Sequence, residues 1–135
     1  MSYRAVDEFE YVYIFWKPGQ TKVDKDRLTK DQWIEWGSRA VWSIPSVRAN
    51  DDHEAKFPIE LPKRLIQLLT DPSDIVLDCF AGSGTSAVAA ILSGRRFIGV
   101  EFLPKYVELA SRALRIAQTK PVQFSLIDNG IYPAA

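Results

Sequence analysis

The ten residues Val76-Leu77-Asp78-Cys79-Phe80-Ala81-Gly82-Ser83-Gly84-Thr85 run from a buried strand through a glycine turn to a helix start. Ile75 to Leu77 reads as a central strand, with Asp78 at its carboxyl end. Gly82 and Gly84 allow backbone angles and close approaches that a Cβ forbids, so a ligand can touch the main chain there. The small apolar run from Ser86 to Leu92 predicts a helix that stops at Gly94 in a left-handed cap, and free amides at its start favour an anionic group. A second strand, Arg96 to Val100, ends on Glu101. Sixteen residues, Phe80 to Arg95, separate the strands, which suits a right-handed crossover between parallel neighbours. Asp78 and Glu101 then stand at adjacent carboxyl ends, where open α/β sheets bind ligands.

Gly82-Ser83-Gly84-Thr85-Ser86-Ala87 also fits the dinucleotide pattern Gly-x-Gly-x-x-Ala, and Glu101 follows Gly84 by 17 positions, close to the spacing of a ribose-binding acid. A dinucleotide-binding domain is therefore an alternative. Against it, Asp78 would repel a pyrophosphate and is suited to accept from an ammonium group. Cys79, the single cysteine, reads as a small apolar residue of a buried strand.

Asp-Cys-Phe-Ala-Gly-Ser-Gly-Thr followed by Gly-Arg-Arg-Phe-Ile-Gly-Val-Glu resembles the S-adenosylmethionine site of the DNA methyltransferases that modify N6 of adenine or N4 of cytosine. His53-Glu54-Ala55-Lys56-Phe57-Pro58 with Leu61 and Arg64-Leu65-Ile66 is similar to the motif preceding that family's glycine turn, in the order called beta. The resemblance covers roughly Glu8 to Gln118 and implies a partial Rossmann-like α/β methyltransferase fold, with a parallel βαβ core and an N-terminal edge strand. It implies S-adenosylmethionine as cofactor, held by Asp78, Phe80, Ala81, Gly82, Ser83, Gly84, Thr85 and Glu101, with Phe57 and Phe102 flanking it. The family's catalytic motif, an Asp, Asn or Ser followed by Pro-Pro and an aromatic, does not occur in the sequence. No catalytic residue is assigned.

In chain order, Glu8 to Trp16 is rich in aromatic and β-branched residues and reads as a strand, with Phe9, Tyr11, Tyr13 and Phe15 on one face. Thr29-Lys30-Asp31-Gln32 matches a capping box, so a short helix should run from there to Gly37. Trp33, Trp36 and Trp42 pack a small subdomain on the general burial habit of aromatics; the functional alternative is a surface for DNA or a partner. His53 lies in a polar loop. Pro58 opens a helix to Thr70 with Leu61, Leu65, Leu68 and Leu69 on one face. Pro104 opens another to about Gln118, where Val107, Ala110, Leu114 and Ala117 repeat at helical spacing and Lys105, Arg112, Arg115 and Lys120 form a solvated basic face. Val122 to Ile127 would add a third strand.

These readings divide a single partial methyltransferase domain into an edge-strand region (1–20), a small recognition-like insert and loop (21–56) and a cofactor-binding core (57–120). The 135 residues carry 17 basic and 17 acidic side chains, which argues against a free-standing DNA binder that relies on a large positive field. A single cysteine and the lack of a leader or long apolar run place the chain in the cytoplasm, and no residue spacing suggests a metal. The expected function is the cofactor-binding part of a site-specific DNA methyltransferase, inactive alone. Its partners are DNA and a complementing polypeptide carrying the catalytic motif, or a second copy of itself. A non-catalytic scaffold or regulatory module is the other alternative.

Overall fold

The computed structural model describes residues 9–19, 24–45 and 58–119. Their elements are a 3₁₀ turn at Lys25–Arg27, α1 (Lys30–Gln32, continuing as a π turn over Trp33–Gly37), α2 (Glu60–Leu69), β1 (Ile75–Asp78), α3 (Thr85–Leu92), β2 (Arg96–Gly99) and α4 (Pro104–Thr119). The strands β1 and β2 pair in parallel, with Ile75 opposite Arg96 and Asp78 opposite Gly99. The βαβ crossover expected from the sequence is therefore present. No helix among the described residues is long and apolar enough to cross a membrane.

One apolar layer holds the unit together. α3 is built mostly of small residues, and Ala87, Val88, Ala89 and Ala90 are all buried, because it lies between the sheet, α2 and α4. Ile66 of α2 packs on Ala89 and Ala90, with Ile59, Val76 and Phe97 around them. Residues alternate across a strand, so Val76 and Phe97 face this layer while Ile75, Leu77 and Ile98 face away and remain half exposed or more. Among the described residues, helices cover only one face of the sheet.

α3 ends in a Schellman motif: Gly94 N–H donates to Ile91 O and Arg95 N–H to Ala90 O, with Gly94 at φ +74°. The turn Asp71–Asp74 closes on itself, with Asp71 N–H on Asp74 Oδ2 at 2.8 Å.

Several expectations are corrected. Residues 9–16 form no strand ladder with any described residue. Their alternation survives, since the Phe9 and Tyr11 rings meet edge to face at 5.3 Å, but no described strand accepts the main chain and the aromatics are exposed. On α2 the deeply buried residues are Pro62 and Ile66, not the leucine stripe, and Leu69 is exposed. The helix is gripped from two sides, by α3 and by the tryptophan subdomain, whose Gly37 lies against Leu68. On α4 the exposed Val107 drops out of the stripe, while Ala110, Leu114 and Ala117 are half-buried. Cys79 is exposed: β1 ends at Asp78, so the cysteine stands on the turn, not in a strand. His53, Phe57, Lys120 and the third strand at 122–127 lie outside the described residues.

The tryptophans pack as expected. Trp36 is buried, the Trp42 indole N–H donates to Trp36 O at 3.2 Å, and the Arg64 guanidinium stacks over both rings at 5.6 and 5.7 Å. Arg64 is held by Glu60 of its own helix at 2.9 Å and pairs with Glu35 of the subdomain at 3.7 Å, which ties the subdomain to α2. The capping box of α1 is complete, with Gln32 N–H on Thr29 Oγ1 and Thr29 N–H on Gln32 Oε1. Thr29→Ala removes one half of it and is expected to destabilise the chain by about 1 kcal/mol in urea unfolding.

Candidate functional site

Beyond β1 and β2 the main chains continue in register for one more step: Val100 N–H donates to Asp78 O at 2.9 Å, and Ala81 N–H to Val100 O at 3.0 Å. After that they diverge, one through the glycine turn into α3 and the other into α4. The space between them is bounded by the turn, by Asp78 and by Glu101. Asp78 is half-buried, and its Oδ1 accepts from Phe80 N–H at 2.9 Å, an Asx turn that starts the bend. Glu101, also half-buried, reaches across: its Oε2 accepts from Gly82 N–H at 2.9 Å and its Oε1 from Leu103 N–H at 2.8 Å.

The turn has Gly82 at φ +52° and Gly84 at φ +89°, both left-handed. Gly84 is needed for a second reason, because a Cβ there would stand 2.9 Å from Ala110 Cβ and 3.0 Å from Ala110 Cα. α4 thus backs directly onto the start of α3. Ser83 is buried, and Ala81 and Thr85 are half-buried beside it. Phe80 on the turn and Phe102 next to Glu101 are 90% and 93% exposed, which leaves two aromatic side chains available to a flat ligand.

The structure brings together Asp78, Phe80, Ala81, Gly82, Ser83, Gly84, Thr85, Glu101 and Phe102; Phe57 lies outside the described residues. The sequence reading assigns Asp78 and Glu101 to a ligand and misses their bonds to main-chain amides. An acid two residues before a turn amide, as in Asp78–Phe80 and Glu101–Leu103, is the signal that indicates such a bond. It also misses Ala110, whose small side chain is what lets α4 approach Gly84.

The placement of two carboxylates on the turn disfavours a pyrophosphate. The Gly82 amide, which would face a phosphate, is already bonded to Glu101. A cationic or hydroxylated ligand suits such a cleft better.

Comparison with known proteins agrees. The Type II methyltransferase M.BglI of Bacillus subtilis is 61% identical over 111 residues, which cover 82% of this chain and 32% of that protein. The DNA adenine methyltransferase YhdJ of Escherichia coli K12 is 43% identical over 81 residues, 57% of this chain and 28% of that one. The chain thus spans about a third of the length of these relatives. Among solved structures, TTHA0409 of Thermus thermophilus, assigned as a DNA modification methylase, superposes with a TM-score of 0.57 at 37% identity. The match covers 73% of this chain and 42% of that one, and the same protein has been solved in complex with S-adenosyl-L-methionine. Residues 2–112 match the family described as DNA methylase, of N6 and N4 type, which replaces the dinucleotide-binding alternative; the chain belongs to that family.

Proposed function

We propose that this chain is the S-adenosylmethionine-binding part of a site-specific DNA methyltransferase that modifies the exocyclic amine of adenine (N6) or cytosine (N4), with a second polypeptide supplying the catalytic motif. The observation that carries this reading is the pair of carboxylates, Asp78 and Glu101, at the ends of adjoining parallel strands on either side of the glycine turn.

The residues present fit such a ligand. Asp78 is placed to accept from the ammonium of an amino-acid group, and Glu101 from ribose hydroxyls. Main-chain amides of the turn lie beside both, and Phe80 and Phe102 offer aromatic faces to the adenine. Both carboxylates are tied to backbone amides, so their positions are set before a ligand arrives. When bound, S-adenosylmethionine supplies an electrophilic methyl group. The described residues hold the donor; none is assigned to the base amine.

Two features support a second polypeptide. The sheet face carrying Ile75, Leu77 and Ile98 is bare of described residues, although parallel sheets are ordinarily covered on both faces. The aromatic segment 9–16 offers its main chain to no described strand. A second copy of the chain is the other candidate cover, and DNA is the substrate in either case.

The test is calorimetric titration of the chain with S-adenosylhomocysteine, with NAD in parallel and Asp78→Asn as the variant. Asparagine keeps the oxygen that accepts from Phe80 N–H and replaces the other, with its charge, by an NH₂ group, so the turn stays intact. Loss of one charge-assisted hydrogen bond, about 1.5–3 kcal/mol, predicts affinity reduced roughly tenfold to a hundredfold. Binding of NAD in place of S-adenosylhomocysteine would overturn the donor site. Methyl transfer to DNA by the lone chain would overturn the need for a partner.

A further inference from the structure

We propose that Glu101 is a positioning residue, a strap that ties the glycine turn after β1 to the start of α4 before any ligand binds; its effect on donor affinity rests on the function proposed above. The two main chains share their last rung at Ala81 and Val100. One residue further on, at Gly82, no described main-chain acceptor takes the amide. The Glu101 carboxylate does so at 2.9 Å, and its other oxygen takes the Leu103 amide at 2.8 Å.

Leu103 is itself the residue from which α4 starts, since its carbonyl accepts from Tyr106 N–H at 2.9 Å and Val107 N–H at 3.2 Å. Further along α4, Ala110 presses on Gly84. The contacts therefore close a ring from Gly82 through Glu101, Leu103, α4 and Ala110 back to Gly84. Ala110 holds the turn from behind and Glu101 holds it from the side. A turn with two glycines loses much conformational freedom on being fixed, so a charge-assisted clip at its centre has a large share in keeping one geometry.

Glutamate is the residue this requires. A glutamine keeps one acceptor oxygen and presents an NH₂ group that cannot accept, so it can hold one amide of the two. Alanine holds neither.

The experiment is amide hydrogen exchange on the ¹⁵N-labelled, ligand-free chain of 135 residues. Gly82 and Leu103 are read against Ala81 and Gly84, whose amides bond main-chain carbonyls. In the unaltered chain all four should be protected. Glu101→Ala should speed exchange at Gly82 and Leu103 by about tenfold or more and leave Ala81 and Gly84 within about threefold. Glu101→Gln should release one of the pair and keep the other. If Glu101→Ala does not fold, the glutamine variant decides.

Unprotected Gly82 and Leu103 in the unaltered chain would overturn the strap, as would uniform acceleration of all four amides, which is the mark of a general loss of stability. Adding S-adenosylhomocysteine to the same samples separates the two readings. Protected amides with no ligand binding sustain the strap and sink the donor site; ligand binding with Gly82 and Leu103 unprotected does the reverse.

Discussion

Gly84→Ala is expected to destabilise the chain by about 3 kcal/mol, from two sources that act together. The left-handed backbone at φ +89° costs a residue with a Cβ roughly 1–2 kcal/mol. The new methyl would lie 2.9 Å from Ala110 Cβ and 3.0 Å from Ala110 Cα. A side chain could swing aside, but the Cα of a helix cannot, so α4 has to shift, and such overpacking costs roughly a further 1–3 kcal/mol. Because α4 begins at the residue strapped by Glu101, the shift is transmitted to the site, and S-adenosylhomocysteine binding should fall with stability. Urea unfolding checks the first effect and calorimetry the second. The double variant Gly84→Ala, Ala110→Gly should recover little of the loss, because it removes the Ala110 Cβ but keeps the 3.0 Å approach to Ala110 Cα and the backbone strain, and a glycine inside α4 costs about 1 kcal/mol of its own. A loss below about 1 kcal/mol for the single variant would mean that α4 does not lie against the turn.

This pair shows how far the site can be read from sequence. The glycine turn, the parallel strands around it, the cap at Gly94 and the capping box at Thr29 are legible because each depends on neighbours a few residues away: a glycine where the angle is left-handed, an apolar run of strand length, a threonine three residues before a glutamine. What is not legible depends on which element arrives from elsewhere. Ala110 looks like any small residue of an amphipathic helix, and only the docking of α4 shows that it limits what position 84 can hold. Ile66 and Pro62 displace the leucines as the buried line of α2 because a helix pressed from two sides has no single apolar stripe. Cys79 reads as buried only if the apolar run is extended one residue past Asp78, where pairing stops. The segment 9–16 has the alternation of a strand, but a ladder needs a second strand, and none of the described residues provides it.

Asp78 and Glu101 teach a related point. In the sequence their positions at the strand ends suggest ligand-facing acids, and in the structure both accept from backbone amides. Two carboxylates standing close together need something to hold them, and one amide on Asp78 and two on Glu101 do so. The same hydrogen bonds that shape the turn therefore keep the acids in place for a ligand.

At the other end of the sheet, Arg95→Ala is expected to destabilise the chain by about 3 kcal/mol, since it unpairs a buried group where two helices end. Arg95 is 8% exposed. Its Nε donates to Thr70 Oγ1 at 3.0 Å, its Nη2 to Thr70 O at 2.6 Å and its Nη1 to Ser93 O. Thr70 caps α2 and Ser93 caps α3, so one guanidinium serves the carbonyl ends of both, where the helix dipoles favour a cation. Burial lowers its pKa from the ordinary arginine value and Asp71 pulls it back up, with Arg27 lowering and Asp74 raising it in turn. An arginine remains charged throughout the accessible range, so this network should add no pH dependence of its own to stability. Truncation leaves three acceptors without their donor in a place water reaches poorly. Arg95→Lys supplies a single ammonium where a planar fork of donors is needed, and should recover less than half of the loss. Urea unfolding with an unchanged m-value measures both variants. A cost below about 1 kcal/mol for alanine, or full recovery by lysine, would show that charge alone matters there and that the two helix ends are not joined through the planar fork of Arg95.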